Sequence, residues 1–227
     1  MIMDGNWTNR IERIKNIIFD FDGTLADTSK LIVATMQKSI LDYGLPFRNE
    51  EQIKATIGVR LEEIPSILWP SITGIGESFA TIYRKNFEEL KDKIPVTLFR
   101  GVKETLSKLK EGGYKMAIAT SRSHRSVEEL TKQLGIRDCL AYLLGGNDVS
   151  EGKPNPESIF KILSEMDWKK DETMMVGDMA IDILMGKNAG IKTCGVTYGN
   201  GKTLELEETG ADYIISDFSK LADIIQC

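Results

Sequence analysis

From Gly101 onward the chain alternates between two hydrophobic periods. A helical pattern carrying Val102, Leu106 and Leu109 stops at Gly112-Gly113, and the apolar stretch Lys115–Ala119 follows. A second pattern over Ser126–Leu134 stops at Gly135 and gives way to a strand near Leu140–Leu144 that runs into Gly145-Gly146. Asn155-Pro156 opens a third helix, with proline at its first position, where no intrahelical N–H is needed. Then come the strand Thr173–Val176, the helix Ile181–Ala189, the strand Lys192–Val196, a strand-like piece at Tyr213–Ile215 and a short C-terminal helix. Strands separated by helices of about a dozen residues specify βαβ units, hence a parallel sheet and an α/β fold.

One more strand lies upstream. Ile17-Ile18-Phe19 leads straight into Asp20 and Asp22, and Gly23 breaks the run. The strand, residues 16–20, is predicted to be buried and to present both carboxylates at its C-terminal edge, outside which ligands bind in open α/β sheets. Side chains two apart share a strand face, so the two anions would confront one another, and a cation beside them is the natural remedy.

Residues 26–94 read as helical, with no clear strand. Asp27 or Thr28 can cap a helix carrying Leu31, Ile32, Met36 and Ile40 that ends near Gly44. Asn49-Glu50-Glu51-Gln52 fits a capping box ahead of Ile53 and Ile57, and Gly58 interrupts that helix. A short helix over Leu61–Leu68 stops at Pro70, and Phe79, Tyr83, Phe87 and Leu90 form one stripe on a fourth, expected to pack as core. The expected organisation is an α/β core from 1–25 and 95–227, with 26–94 inserted as a helical cap.

Three later segments carry chemistry. Thr120-Ser121 follows an apolar strand, where a hydroxyl can donate to a phosphate oxygen or cap a helix. Lys153 sits in Gly152-Lys153-Pro154-Asn155-Pro156, whose prolines stiffen the backbone around an ammonium able to pair with a carboxylate or a phosphoryl group. Gly177-Asp178-Met179-Ala180-Ile181-Asp182 follows another apolar strand, and Asp178 and Asp182 lie about one helical turn apart, so both can face one cation.

The string Asp20-Phe21-Asp22-Gly23-Thr24-Leu25-Ala26-Asp27-Thr28, followed in order by the hydroxyl, the lysine and the acidic pair, resembles the four-motif pattern of the haloacid dehalogenase superfamily, on its phosphoglycolate phosphatase-like and β-phosphoglucomutase-like branch. The resemblance implies a three-layer core with the first strand central and a cap that closes over the site. It implies that Asp20 is a nucleophile forming an aspartyl-phosphate and that Asp22 is the general acid/base. It implies Mg2+ held by the Asp20 carboxylate, the Asp22 backbone carbonyl and Asp178, with Asp182 holding one of the ion's waters. Thr120, Lys153 and backbone N–H groups near Gly23 and Ser121 would neutralise the phosphoryl group. Gly58-Val59-Arg60-Leu61-Glu62 resembles the cap segment that faces the site, so Arg60 is a candidate to meet the leaving group; Arg122 and His124 are further candidates, with no catalytic role given to the histidine.

The expected activity is therefore Mg2+-dependent hydrolysis of a small phosphate ester: a phosphoglycolate-like acid, a sugar phosphate or a nucleotide. A phosphomutase of the β-phosphoglucomutase type is the alternative, but such mutases tend to carry Glu-Asp where this chain has Gly177-Asp178. A phosphonatase would need a cap lysine at the site, and nothing marks Lys30, Lys38 or Lys54. A phospho-accepting signalling module would lack the Asp-x-Asp-Gly-Thr string and the helical insert. The net charge of −5 gives no footprint for nucleic acid or an anionic membrane. Met1–Arg13 has no signal-like apolar run, and no stretch is long enough to span a bilayer. Cys139, Cys194 and Cys227 are odd in number and far apart, which points to reduced thiols in a cytoplasmic protein, and with His124 as the only histidine a zinc site is not expected. A monomer or a homodimer fits equally.

Overall fold

The computed structural model describes residues 14–225; the polar lead-in Met1–Arg13 and Cys227 lie outside them. The strands are β1 (Asn16–Phe19), β2 (Ala26–Asp27), β3 (Thr97–Leu98), β4 (Lys115–Ala119), β5 (Tyr142–Leu144), β6 (Thr173–Gly177), β7 (Lys192–Val196) and β8 (Tyr213–Ile215). The helices are α1 (Ser29–Tyr43), α2 (Glu50–Lys54), α3 (Ile64–Leu68), α4 (Gly76–Leu90), α5 (Val102–Glu111), α6 (His124–Gln133), α7 (Glu157–Met166), α8 (Ala180–Ala189), α9 (Thr203–Glu208) and α10 (Lys220–Ile225).

Six strands form one parallel sheet in the order β5-β4-β1-β6-β7-β8. From β1 the chain steps outward to β4 and β5, then returns to β6 on the other side of β1 and steps outward again. The direction of winding therefore reverses at β1, and a crevice opens there beyond the strands' C-terminal ends. β1 is buried on both faces because its successive side chains point in opposite directions. Ile17 and Phe19 enter a cluster with Leu106 of α5, Val127 of α6 and Leu221 of α10. Ile18 enters a second cluster with Ile159 of α7 and Met185 of α8. Helices thus cover both faces, giving the expected three layers.

The helices α1 to α4 gather a third apolar cluster, in which Met36, Ile53, Leu68, Trp69 and Phe79 meet. Phe79 packs against Tyr43 at 5.9 Å and Trp69 at 6.0 Å between ring centroids. The aromatic stripe of α4 packs as core, as expected, but divides its contacts: Phe79 belongs to the helical cluster, Phe87 to the sheet cluster, and Tyr83 touches both. Asn49 and Gln52 form the expected capping box. The third helix begins at Ile64, not near Leu61, because Pro65 must fall in its first turn.

Three features depart from the sequence reading. β2 and β3 pair antiparallel, Ala26 with Leu98 and Asp27 with Thr97, joining the two ends of the helical stretch where no strand was expected. Thr28 precedes α1 but makes no capping bond; its hydroxyl turns to Asp22 instead. α6 begins at His124, two residues early, because Ser123 caps it by accepting from the Ser126 N–H.

Phe79 is fully buried between two rings, so Phe79→Ala should cost about 3–5 kcal/mol. Denaturant titration followed by Trp69 fluorescence should report the loss.

Candidate active site

The register of the sheet assembles the site. Phe19 is level with Ile118 of β4 and Val176 of β6, so Asp20, Thr120 and Asp178 all emerge at one edge of three adjacent strands. The Asp20 N–H still donates to the Val176 carbonyl at 2.9 Å, and the Thr120 N–H to the Leu144 carbonyl at 3.1 Å. All three side chains are buried.

Lys153, in the loop between β5 and α7, reaches into this edge. Its ammonium bridges Asp20 and Asp182, at 2.7 Å to the latter, and its side chain is only 4% exposed. Asp182 lies in the first turn of α8, where its other oxygen accepts the Met179 N–H at 3.0 Å. Asp178 accepts from the Thr24 hydroxyl at 2.9 Å and from the Asn200 N–H at 2.7 Å. Gly23 makes room for it: the backbone there has φ +94°, and a Cβ would lie 2.2 Å from an Asp178 oxygen. Only glycine meets both demands.

Asp20, Asp178 and Asp182 each bring one oxygen within 4.8 Å of the others, and all three are buried. One ammonium against three carboxylates leaves an excess of negative charge in a dry place. Burial, above all, pushes the Asp178 carboxyl up to about 7, and Asp182 beside it adds to the shift. Burial likewise holds the Asp20 carboxyl well above the usual carboxylate range, against the pull of Lys153. For Lys153 burial works the other way, yet Asp182 and Asp20 outweigh it and raise its pKa. An all-oxygen donor set with surplus negative charge fits a hard divalent cation such as Mg2+.

Asp22 does not face this cluster. The strand ends at Phe19 and the chain turns, with Leu25 and Ala26 N–H groups both donating to the Phe21 carbonyl, so the alternation expected for Asp20 and Asp22 is broken. The Asp22 carboxylate pairs with Arg122 instead, accepting from its Nε at 3.1 Å and from Nη2, and takes the Thr28 hydroxyl at 2.6 Å. Burial works against the Arg122 cation, but Asp22 more than compensates and raises its pKa. Only the Asp22 backbone carbonyl is left as that residue's route to a cation.

Other expected contacts fall differently. The Gly23 N–H donates to the Ala26 carbonyl at 2.9 Å, so Gly23 contributes space to the site and its own N–H is occupied. Ser121 donates its hydroxyl to the Gly58 carbonyl at 2.5 Å, and Thr120 accepts the Arg122 N–H at 3.2 Å. Arg60 does not turn its guanidinium toward the carboxylates: it donates to the carbonyls of Gly146, Val149 and Ser150. Its stem still lines a cavity of about 770 Å³ that also takes Asp22, Tyr83, Phe87, Ser121 and Arg122 into its wall. His124 pairs with Asp148 at 2.7 Å and is half exposed, away from the acidic cluster. Thr24 and Thr28 were legible within the acidic string but not as partners of Asp178 and Asp22; Asn200 gave no signal at all.

The raised Asp178 carboxyl has a consequence for stability. An unfolded aspartate releases its proton near 3.8, whereas the native one keeps it to about 7. Between those values the native state binds more protons, so metal-free protein should lose roughly 1 kcal/mol of stability per pH unit as pH rises through that window. Melting in the presence of chelator should show this slope, and Asp178→Asn should reduce it, leaving the part that the raised Asp20 carboxyl contributes.

Residues 17–196 match the sequence pattern of the family described as haloacid dehalogenase-like hydrolase. A relative from Dickeya dadantii named probable phosphatase IndB is 33% identical over 211 residues, covering 90% of each chain. Pyrophosphatase PpaX from Halalkalibacterium halodurans is 32% identical over 212 residues, covering 93% of this chain and 97% of its own. A solved structure from Bacteroides fragilis, described as haloacid dehalogenase-like, superposes with a TM-score of 0.84 at 27% identity, covering 92% of this chain and all of that one. With the acidic cluster at the switch point of its sheet and these matches along nearly its whole length, this chain belongs to the haloacid dehalogenase-like hydrolases.

Proposed function

We propose that this hydrolase is a Mg2+-dependent phosphatase that cleaves a small phosphate ester through an aspartyl-phosphate on Asp20. The observation that carries the reading is the buried cluster in which Lys153 bridges Asp20 and Asp182 while Asp178 completes a three-carboxylate set. The relatives named phosphatase and pyrophosphatase support the substrate class. Phosphoglycolate-like acids, sugar phosphates and nucleotides are the candidate esters.

Asp20 attacks phosphorus as its ester bond to the leaving oxygen breaks, splitting hydrolysis into two easier steps. Asp22 delivers a proton to that oxygen, then takes one from the water that attacks the aspartyl-phosphate, releasing orthophosphate and restoring Asp20. The Lys153 ammonium and the Thr120 hydroxyl hold the phosphoryl oxygens, where charge develops. The Asp20 and Asp178 carboxylates and the Asp22 carbonyl would hold Mg2+, with Asp182 beyond them, and the ion would supply charge neutralisation that lets an anionic nucleophile approach an anionic phosphate. Gly177 favours hydrolysis over the phosphomutase reading: a Cβ there would lie 2.2 Å from the Asp182 Cβ, so a glutamate at 177 would collide with this backbone arrangement.

Residues 26–94 act in this reading as a cap over a core of 1–25 and 95–227, with the β2–β3 pair as the junction. Arg60 ties the cap to the core loop 146–150 and shapes the site without touching substrate. Among the described residues no helix is long and apolar enough to cross a membrane. With its acidic net charge, the protein is proposed to work in the cytoplasm on a free small molecule.

Phosphate release from a panel of esters, run with Mg2+ and with chelator, tests the reaction. Asp20→Asn should abolish turnover; normal turnover in that variant would sink the covalent mechanism. Arg60→Ala should raise KM for all esters alike by loosening the cap, and a change confined to one ester would instead mark Arg60 as a substrate contact.

A further inference from the structure

We infer that Arg122 is the leaving-group anion site: its guanidinium, closed on Asp22, opens to receive a carboxylate or second phosphate on the leaving group, and this exchange frees Asp22 for the reacting oxygen. The inference rests on the phosphatase reading and narrows its substrate class to phosphate compounds whose leaving group is itself anionic.

The pair has the right form. Nε meets one Asp22 oxygen at 3.1 Å and Nη2 meets the other, the two-pronged arrangement that a guanidinium uses for any carboxylate or phosphate. The fork is fixed in place by protein. Phe87 lies 5.2 Å and Phe21 5.9 Å from its centre, and Nη1 donates to the Ser126 hydroxyl at 3.1 Å. Arg122 and Asp22 are 9% and 11% exposed, yet both line the large cavity. The other arginines in that wall are engaged elsewhere: Arg60 by three carbonyls, Arg84 by Glu62 and Arg125 by Glu129. Arg122 alone among them is paired with a residue of the acidic turn.

Charge balance makes the exchange selective. While the bridge stands, both Asp22 oxygens accept from Arg122 and one also takes Thr28. Replacing one anion by another on the same fork keeps the buried guanidinium paired. A neutral leaving group offers no such replacement, and opening the bridge then leaves a buried guanidinium unpaired. Thr28 keeps its hold on Asp22 throughout, so the freed carboxylate stays near the reacting centre.

A matched pair of esters tests this: phosphoglycolate, and ethylene glycol monophosphate, which replaces its carboxylate by a neutral hydroxymethyl group. Wild-type enzyme with Mg2+ should favour phosphoglycolate in kcat/KM by about tenfold or more. Arg122→Ala should bring that ratio near one, chiefly through KM for phosphoglycolate, and Arg122→Lys should restore part of it. An equal loss on both esters would reduce Arg122 to a structural partner of Asp22 and overturn the inference while leaving the phosphatase reading intact. Failure of wild-type enzyme to release phosphate from either ester or from pyrophosphate would overturn both. Calorimetry with glycolate gives a readout without turnover. Asp22→Asn, which removes the competing charge from the fork, should bind glycolate about tenfold tighter than wild type, and Asp22→Asn combined with Arg122→Ala should lose the gain. Equal glycolate affinity in wild type and Asp22→Asn would overturn the inference.

Discussion

Lys153 stands between Asp20 and Asp182 with almost no water reaching any of the three side chains. A carboxylate taken out of water is costly unless it is paired, and here Asp178 makes a third. The ammonium is what allows such a cluster to exist at the end of a buried parallel sheet. It does not finish the neutralisation, and the remaining negative charge suits a divalent cation. The cluster also explains details that would otherwise look unrelated. Gly23 must lack a side chain because Asp178 passes so close, and Gly177 because Asp182 does. Asn200 and Thr24 serve to fill the lone pairs of Asp178 that Lys153 does not reach.

The strands of the six-stranded sheet were legible in the sequence to within two residues. Lys115–Ala119 and Lys192–Val196 were read with their observed limits, since buried parallel strands are apolar runs between turn signals, and the partly buried edge strand Tyr213–Ile215 was read with its limits too. β2 and β3 were invisible for the opposite reason. Each has two residues, too few to show a period, and each finds its partner about seventy residues away. The acidic string and the later acidic pair were both readable, and the structure brings Asp20, Asp178 and Asp182 together, but the direction of each carboxylate depends on where the strand stops. Because β1 ends at Phe19, period-two reasoning fails just where Asp22 begins. Arg60 shows the same limit. Its position in a glycine-led segment was readable, but its three acceptors are backbone carbonyls of the segment 146–150, and backbone acceptors leave no trace in side-chain identity.

Two charge systems lie side by side in this site, and their separation has chemical meaning. Asp20, Asp178, Asp182 and Lys153 form one that is short of positive charge. Asp22 and Arg122 form the other, balanced within itself. The proposed nucleophile and cation site lie in the first, whose surplus negative charge suits a divalent cation. The proposed proton carrier, Asp22, lies in the second, paired with Arg122.

The second system is also the one in touch with the helical stretch. Arg122 lies over Phe87 of α4, the Tyr83 hydroxyl is buried near both Arg122 and Asp22, and Ser121 bonds to the Gly58 carbonyl. Thr28, at the entrance to α1, holds Asp22 directly. Asp20, by contrast, is fixed by the neighbouring strands β4 and β6 and by Lys153 from the loop between β5 and α7. Any shift of α1 or α4 would therefore act on Asp22 and Arg122 while leaving Asp20 in register. In the proposed mechanism, the groups touched by α1 and α4 are those of proton transfer and leaving-group recognition, while Asp20, which would meet phosphorus, follows a strand buried on both faces.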